Sequence, residues 1–215
     1  MRSDARANRH RILRAARTLM AARGTAAVPL TAIAALSGVG IGTLYRHFPT
    51  LDDLHIALLE SVSETVQHVS ERWHAPMLQD PMRAWPAYAR ELATLQLTAV
   101  LILLPVTRRV ATQAAAQAAQ QAEAAMFRAE QAGAKVLRLA QQAGLVRPNV
   151  EHAAFLMGLG AASRTLAVSH TGADEQPPHP WLKELTHWFV DIYLAGLRPE
   201  VDAPAPPQVR APSGG

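Results

Sequence analysis

The chain is 215 residues long, 49% hydrophobic and 18% charged, and its 21 lysines and arginines against 17 acids leave a net charge of +4. That length suffices for a full hydrophobic core and for one or two domains. Cysteine is absent, which excludes disulfide scaffolds, thiolate metal sites and cysteine nucleophiles and suits a reducing cytoplasm. The opening MRSDARANRHRILRAARTLM is arginine-rich without an uninterrupted apolar run, so no secretory signal is expected and the cytoplasm is the expected compartment. The most lipid-like stretch, LTAVLILLPV at 97–106, falls short of the roughly 20 apolar residues of a membrane span. It reads as a buried core helix, and no membrane partner is expected.

Charge becomes informative when divided. Residues 1–48 hold Arg2, Arg6, Arg9, Arg11, Arg14, Arg17, Arg23 and Arg46 against Asp4, a balance of +7, so the remainder carries −3 of the total of +4. A polyanion-binding head on a near-neutral body shows such a split, and so does a solvated helix face with a basic terminus.

Helical periods dominate an alanine-rich chain with no sustained alternation, so the expected class is all-α. The first helix is expected from about residue 4 to Arg23, with Ile12, Ala16, Leu19 and Met20 on one stripe, Arg11, Arg14 and Arg17 opposite, and Gly24 as the stop. A short second helix follows in PLTAIAALSG, with Pro29 in its first turn, Leu30, Ile33 and Ala34 inward, Gly38 as C-terminal cap and Val39 plugging the turn. A third spans Ile41 to His47. Its Leu44 and Phe48 share a face four residues apart, which pushes Thr43, Tyr45, Arg46 and His47 outward. Thr50 then caps a fourth helix, with Asp53 completing a capping box and Asp52 favouring the positive dipole end.

The fourth helix is expected to reach about His74, too long for a three-helix module alone, and so to lead into a second domain. Beyond Pro76, helices are expected over about Pro81 to Leu95, 97 to 111 with an interruption near Pro105, Thr112 to Ala143, Val150 to Ser169 and Trp181 to Leu197. The segments AGLVRPNV and HTGADEQPPHP read as turns, and the proline-rich stretch from Pro199 onward as a tail that does not pack.

Two short helices joined by a glycine turn, the second presenting polar side chains outward, describe a helix-turn-helix reader. Gly42 lets a phosphate approach the backbone, whose free N–H groups at the helix start attract it. The Thr43 and Tyr45 hydroxyls suit phosphate positioning, Arg46 can fork onto a guanine edge, and His47 can bond a base or a phosphate. Ile41 reads either as an apolar contact to a thymine methyl or as a packing residue within the motif. Tyr45 could be a core aromatic with its hydroxyl at the rim, but Leu44 and Phe48 already supply the inward pair.

Residues 9–59, and above all the block IAALSGVGIGTLYRHF, resemble the DNA-binding region of TetR-type transcriptional regulators. The body is similar in its helical layout and in AQQAGLVRPNVEHAAFLMGLG, which resembles a stretch many members carry before a dimerising helix. The resemblance implies a helix-turn-helix domain over 8–67 that includes the start of the linking helix, a larger effector-binding and dimerisation domain over 68–198, and a tail over 199–215. It implies groove and backbone contacts by Thr43, Tyr45, Arg46 and His47, with Gly42 at the start of the reading helix. Ile41, Thr31 and Thr50 complete the expected DNA-facing set. Two positions depart from the family pattern: Leu51 stands where a lysine or arginine is common, and Val28 and Pro29 stand where a Thr or Ser cap is common, with Thr31 as the substitute.

The resemblance further implies a homodimer built through the last two helices, with Leu156, Leu159, Trp188, Phe189 and Ile192 as packing residues, on a pseudo-palindromic double-stranded DNA operator. An unknown small-molecule effector would release it, repression being the family's commoner mode. Trp85, Tyr88, Met126, Phe127, Phe155 and Met157 lie on helices that should converge, as a pocket or simply as core, with Arg90, Gln96, Arg128 and His152 as polar companions that orient a ligand or lie at the surface; of these His152 is placed in the expected pocket with Trp85, Tyr88, Met126, Phe127 and Phe155. The Gly38–Gly42 stretch is not a nucleotide loop, because no strand precedes it and no Gly-Lys-Ser/Thr follows. The histidines show no metal-ligand spacing and there is no Gly-x-Ser-x-Gly elbow. No metal, cofactor or catalytic residue is expected; an all-helical enzyme and a helical adaptor are the alternative classes.

Overall fold

The computed structural model describes residues 2–23, 28–95, 113–163 and 180–199, and these form helices without any strand. In chain order they are α1 (Arg2–Arg23), α2 (Leu30–Ser37), α3 (Ile41–His47), α4 (Leu51–Gln79), α5 (Pro81–Ala93), α6 (Gln113–Gln142), α7 (His152–Ala162) and α8 (Pro180–Gly196). The expected helix at 97–111, the stop at Gly24, Gln96, the end of the helix expected to reach Ser169 and the tail from 200 onward lie outside the described residues.

The first three helices close over one small core. Ile12, Leu13, Ala16, Leu19 and Met20 of α1 meet Ile33 and Ala34 of α2, with Val28, Val39, Leu44 and Phe48 filling the turns, all of them buried. Arg17 departs from the expected outward face. It is half-buried and its Nε has no partner, because the α1 stripe buried here is wider than one row. Burial, with Arg14 nearby, lowers its pKa.

At its start, α4 is held by the expected capping box. The Thr50 Oγ1 accepts from the Asp53 N–H at 3.1 Å, and the Thr50 N–H donates to Asp53 Oδ2 at 3.0 Å. The helix then continues past the expected end at His74 and runs through Pro76 to Gln79. Burial overrides the proline: Met77 is 1% exposed and Trp73 packs on the core, so the last turn stays in place although Pro76 donates no hydrogen bond. At roughly 1.5 Å per residue, α4 is on the order of 43 Å long. Its first turns close the small N-terminal core and the rest packs along α6 and α5.

Specific polar ties hold the body helices together. Arg72 and Trp73 of α4 both donate to Glu91 of α5, the indole at 2.7 Å. Arg90 of α5 donates through Nη2 to both carboxylate oxygens of Asp191 on α8, at 2.7 and 2.8 Å. After α6, Gly144 adopts a positive φ of 70°, the left-handed conformation that ends a helix at low cost on glycine. The Gln141 amide then donates to the carbonyls of Arg147, Pro148 and Val150, fixing the loop that leads into α7.

Candidate nucleic-acid interface

The turn between α2 and α3 rests on Gly38. Its φ of 62° caps α2, whose Ala35 and Ala34 carbonyls accept from the N–H groups of Gly38 and Val39, each at 3.2 Å. A side chain in that conformation costs on the order of 1–2 kcal/mol. Pro29 occupies the N-cap of α2 rather than its first turn, and no side chain caps the helix. Thr31, expected as the substitute cap, is instead a helical residue with an exposed side chain.

Behind α3, Leu44 (0% exposed) and Phe48 (3%) anchor the helix. The Arg9 guanidinium lies 5.5 Å from the centre of the Phe48 ring and pairs with Glu60 at 3.8 Å, tying α1 to α3 and α4. In front, Ile41 is 40% exposed and Tyr45 49% exposed. Gly42 and Arg46 are exposed as well, while Thr43 and His47 are half-buried at the flanks. Neither Tyr45 nor Arg46 has a hydrogen-bond or ion-pair partner among the described residues. Of the two readings of Ile41, the exposed position is the one that leaves it open to a base edge. Around Gly42, nothing lies within 4 Å of the place a Cβ would take, so the space there is open to a partner molecule.

Two expected residues sit differently. The Thr50 hydroxyl, besides accepting from the Asp53 N–H, donates to Asp53 Oδ2 at 2.8 Å, so it is already engaged in starting α4. Leu51, in the place of the common cation, is half-buried against the core. One exposed residue carries no signal in the sequence: Leu36 on α2 is 51% exposed. Its spacing from Ile33 suits an inward position, yet Ile33 is buried and Leu36 is not.

Within the body, the residues expected to converge divide into two groups. Trp85, Tyr88 and Phe155 are buried together, with Trp85 and Phe155 ring centres 4.9 Å apart and Tyr88 stacked on Phe155 at 6.4 Å. His152 joins them, its Nδ1 2.7 Å from Glu130 Oε2, while its Nε2 and the Trp85 Nε1 are buried without partners. Burial raises the Tyr88 phenol well above its ordinary value, and the hydroxyl shares a 2.9 Å hydrogen bond with Ser70. Met126 is half-buried beside this core, whereas Phe127 is 65% exposed, about 100° round α6 from it and outside the buried cluster.

On α8, Trp188 (56%), Ile192 (49%) and Phe189 (37%) are exposed, with Met157 (49%) on neighbouring α7. Leu156 is half-buried and Leu159 fully buried, so Leu159 belongs to the chain's own core rather than to an outward face. The two helices are seated by Gly158, which Tyr193 covers, and the Tyr193 hydroxyl donates to the Phe155 carbonyl at 3.0 Å. Among the described residues no cluster of His, Asp and Glu could hold a metal ion, and no helix is long and apolar enough to cross a membrane.

Comparison with known proteins agrees with this geometry. The family model described as bacterial regulatory proteins, tetR family, matches residues 12–58. The model for the C-terminal domain of SbtR-like transcriptional regulators matches residues 80–199. Among solved structures, the TetR transcription regulatory protein from Mycobacterium vanbaalenii is 28% identical, covering 92% of this chain and 98% of that one, with a TM-score of 0.52. A TetR transcriptional regulator from Streptomyces coelicolor is 23% identical over 90% of this chain and 99% of that one, with a TM-score of 0.50, and shares the fold. No curated protein matches the chain in sequence. A short helix-turn-helix core, joined by one long helix to a second helical domain, is thus matched over both halves: the chain belongs to the tetR family of bacterial regulatory proteins and is a DNA-binding transcriptional regulator.

Proposed function

We propose that this regulator is a homodimeric repressor that holds a pseudo-palindromic operator in the cytoplasm and is released from it by a small-molecule effector. The observation that carries the reading is the outward set Ile41, Tyr45 and Arg46 on a helix held from behind by Leu44 and Phe48. In this reading Arg46 forks onto a guanine edge, Ile41 meets a thymine methyl, and Tyr45, Thr43 and His47 position phosphates around Gly42. The reading unit is residues 8–67 and the effector-binding and dimerising unit 68–198, with 199–215 as a tail.

The exposed apolar face of Trp188, Phe189 and Ile192 with Met157 supports dimerisation through α7 and α8, since a monomer gains nothing from leaving such a patch in water. A two-fold axis there sets two reading helices about 34–36 Å apart, one turn of duplex. Release follows if the effector favours a position of α4 in which that spacing no longer matches. Bound fragments selected from the organism's genome test this reading: they should share a two-fold symmetric sequence and be lost with rising salt. Fragments without a shared sequence would contradict it.

A further inference from the structure

We infer that the groove between α4 and α6 is a binding site for a small aryl carboxylate, a monoanion whose ring and acid group are joined by a short flexible chain. The groove has a volume of about 400 Å³, lined by Gln67, Ser70 and Glu71 from α4 and by Phe127, Arg128 and Lys135 from α6. That volume falls within the roughly 300–1,000 Å³ of small-molecule sites. It opens to solvent, unlike the packed cluster of Trp85, Tyr88 and Phe155.

Three features set the ligand's chemistry. Phe127 leaves a 65% exposed ring with no aromatic neighbour among the described residues, a face that a second ring would cover. Lys135 lies eight residues further along α6 and lines the same groove, roughly 12 Å away at 1.5 Å per residue, and no acid pairs with it among the described residues. A ring on Phe127 and a carboxylate at Lys135 are therefore bridged by a chain of a few methylenes. The third feature is a relay of side chains. Gln67 donates to Glu71 at 2.8 Å and accepts from the Arg128 Nε at 3.3 Å, so the guanidinium is oriented while its terminal nitrogens keep their donors for the acid group or stack beside the ring. Glu71 adds a negative charge to the same wall, which disfavours a dianion and selects a single carboxylate.

The site also lies on a helix that reaches the DNA-reading unit. Ser70, buried at the base of the groove, shares its hydrogen bond with Tyr88, and α4 begins at the Thr50–Asp53 box directly after α3. Occupation of the groove would bias the placement of α4, and this consequence alone rests on the repressor reading above.

Calorimetry on the full chain without DNA tests the site, with 4-phenylbutyrate as the probe and 4-phenylbutanol and hexanoate as controls lacking the charge and the ring. The expected result is binding of 4-phenylbutyrate, with each control weaker by about tenfold or more. Lys135→Ala and Phe127→Ala should each weaken the acid by about tenfold, as removal of a charge-assisted hydrogen bond or of a stacking ring does. Arg138→Ala, removing an exposed cation of the same helix outside the groove, should change nothing. No binding to the wild-type chain, or equal binding by Lys135→Ala and wild type, overturns the site. Lys135-dependent binding that leaves operator affinity unaltered upholds the site and removes only its link to release.

Discussion

His152, the first residue of α7, seats its imidazole directly on the bare Cα of Gly133 in α6. A Cβ there would overlap the ring, whose other nitrogen is held 2.7 Å from Glu130. The contact joins the longest body helix to one of the two helices that carry the exposed apolar face. Gly133→Ala should therefore destabilise the chain by on the order of 1–3 kcal/mol, read as a fall of several degrees in the thermal midpoint. His152→Ala in the same chain should recover part of that loss, because the two changes share one contact. Independent, additive losses would refute the contact.

Gly38, the cap of α2, and Gly42, in the first turn of α3, should separate stability from recognition. Gly38→Ala forces a side chain into a φ of 62° and should cost on the order of 1–2 kcal/mol. Gly42→Ala meets open space, keeps or slightly raises stability, and weakens DNA binding by placing a methyl where a phosphate approaches. Urea unfolding and duplex titration on the same preparations check both halves.

The arginines of α1 are not equivalent. Arg11 and Arg14 are exposed, whereas Arg9 is engaged by Phe48 and Glu60. Replacing Arg11 and Arg14 by Ala should flatten the dependence of log K on log salt, by about one unit for each phosphate that is no longer neutralised. Arg9→Ala should instead loosen the hold on α3, lowering the unfolding midpoint more than it changes the salt slope.

His55, the fifth residue of α4, is 6% exposed and both ring nitrogens lack partners. Burial lowers its pKa below the ordinary 6.5, with Asp52 opposing the shift. The unfolded chain therefore takes up a proton first as pH falls. The stability tied to neutral His55 is fully present above about pH 6.5 and is lost on acidification below it. His55→Leu should show a smaller drop in urea midpoint between about pH 7.5 and about pH 5.5 than the wild type. Equal drops would exclude His55 as the cause.

What could be read directly from the residues was local. Gly38 as a cap, the Thr50–Asp53 box and the Leu44–Phe48 anchor depend on neighbours within four positions, and each stands where its spacing placed it. Features set by distant packing were less legible. Pro76 signals a break, yet Met77 and Trp73 bury the turn that contains it. Trp85, Tyr88 and Phe155 do converge, but residue types alone say nothing about whether space remains between the rings. Phe127 adjoins Met126 in sequence and faces away from it, because consecutive helical residues point about 100° apart.

Sequence reading by the outward face of α3 is decided by comparing operator and random duplex affinities for wild type and Arg46→Ala. Arg46→Ala should lose about 1–3 kcal/mol on the operator and much less on random duplex, so that discrimination narrows. Discrimination kept in full by Arg46→Ala would contradict sequence reading by α3.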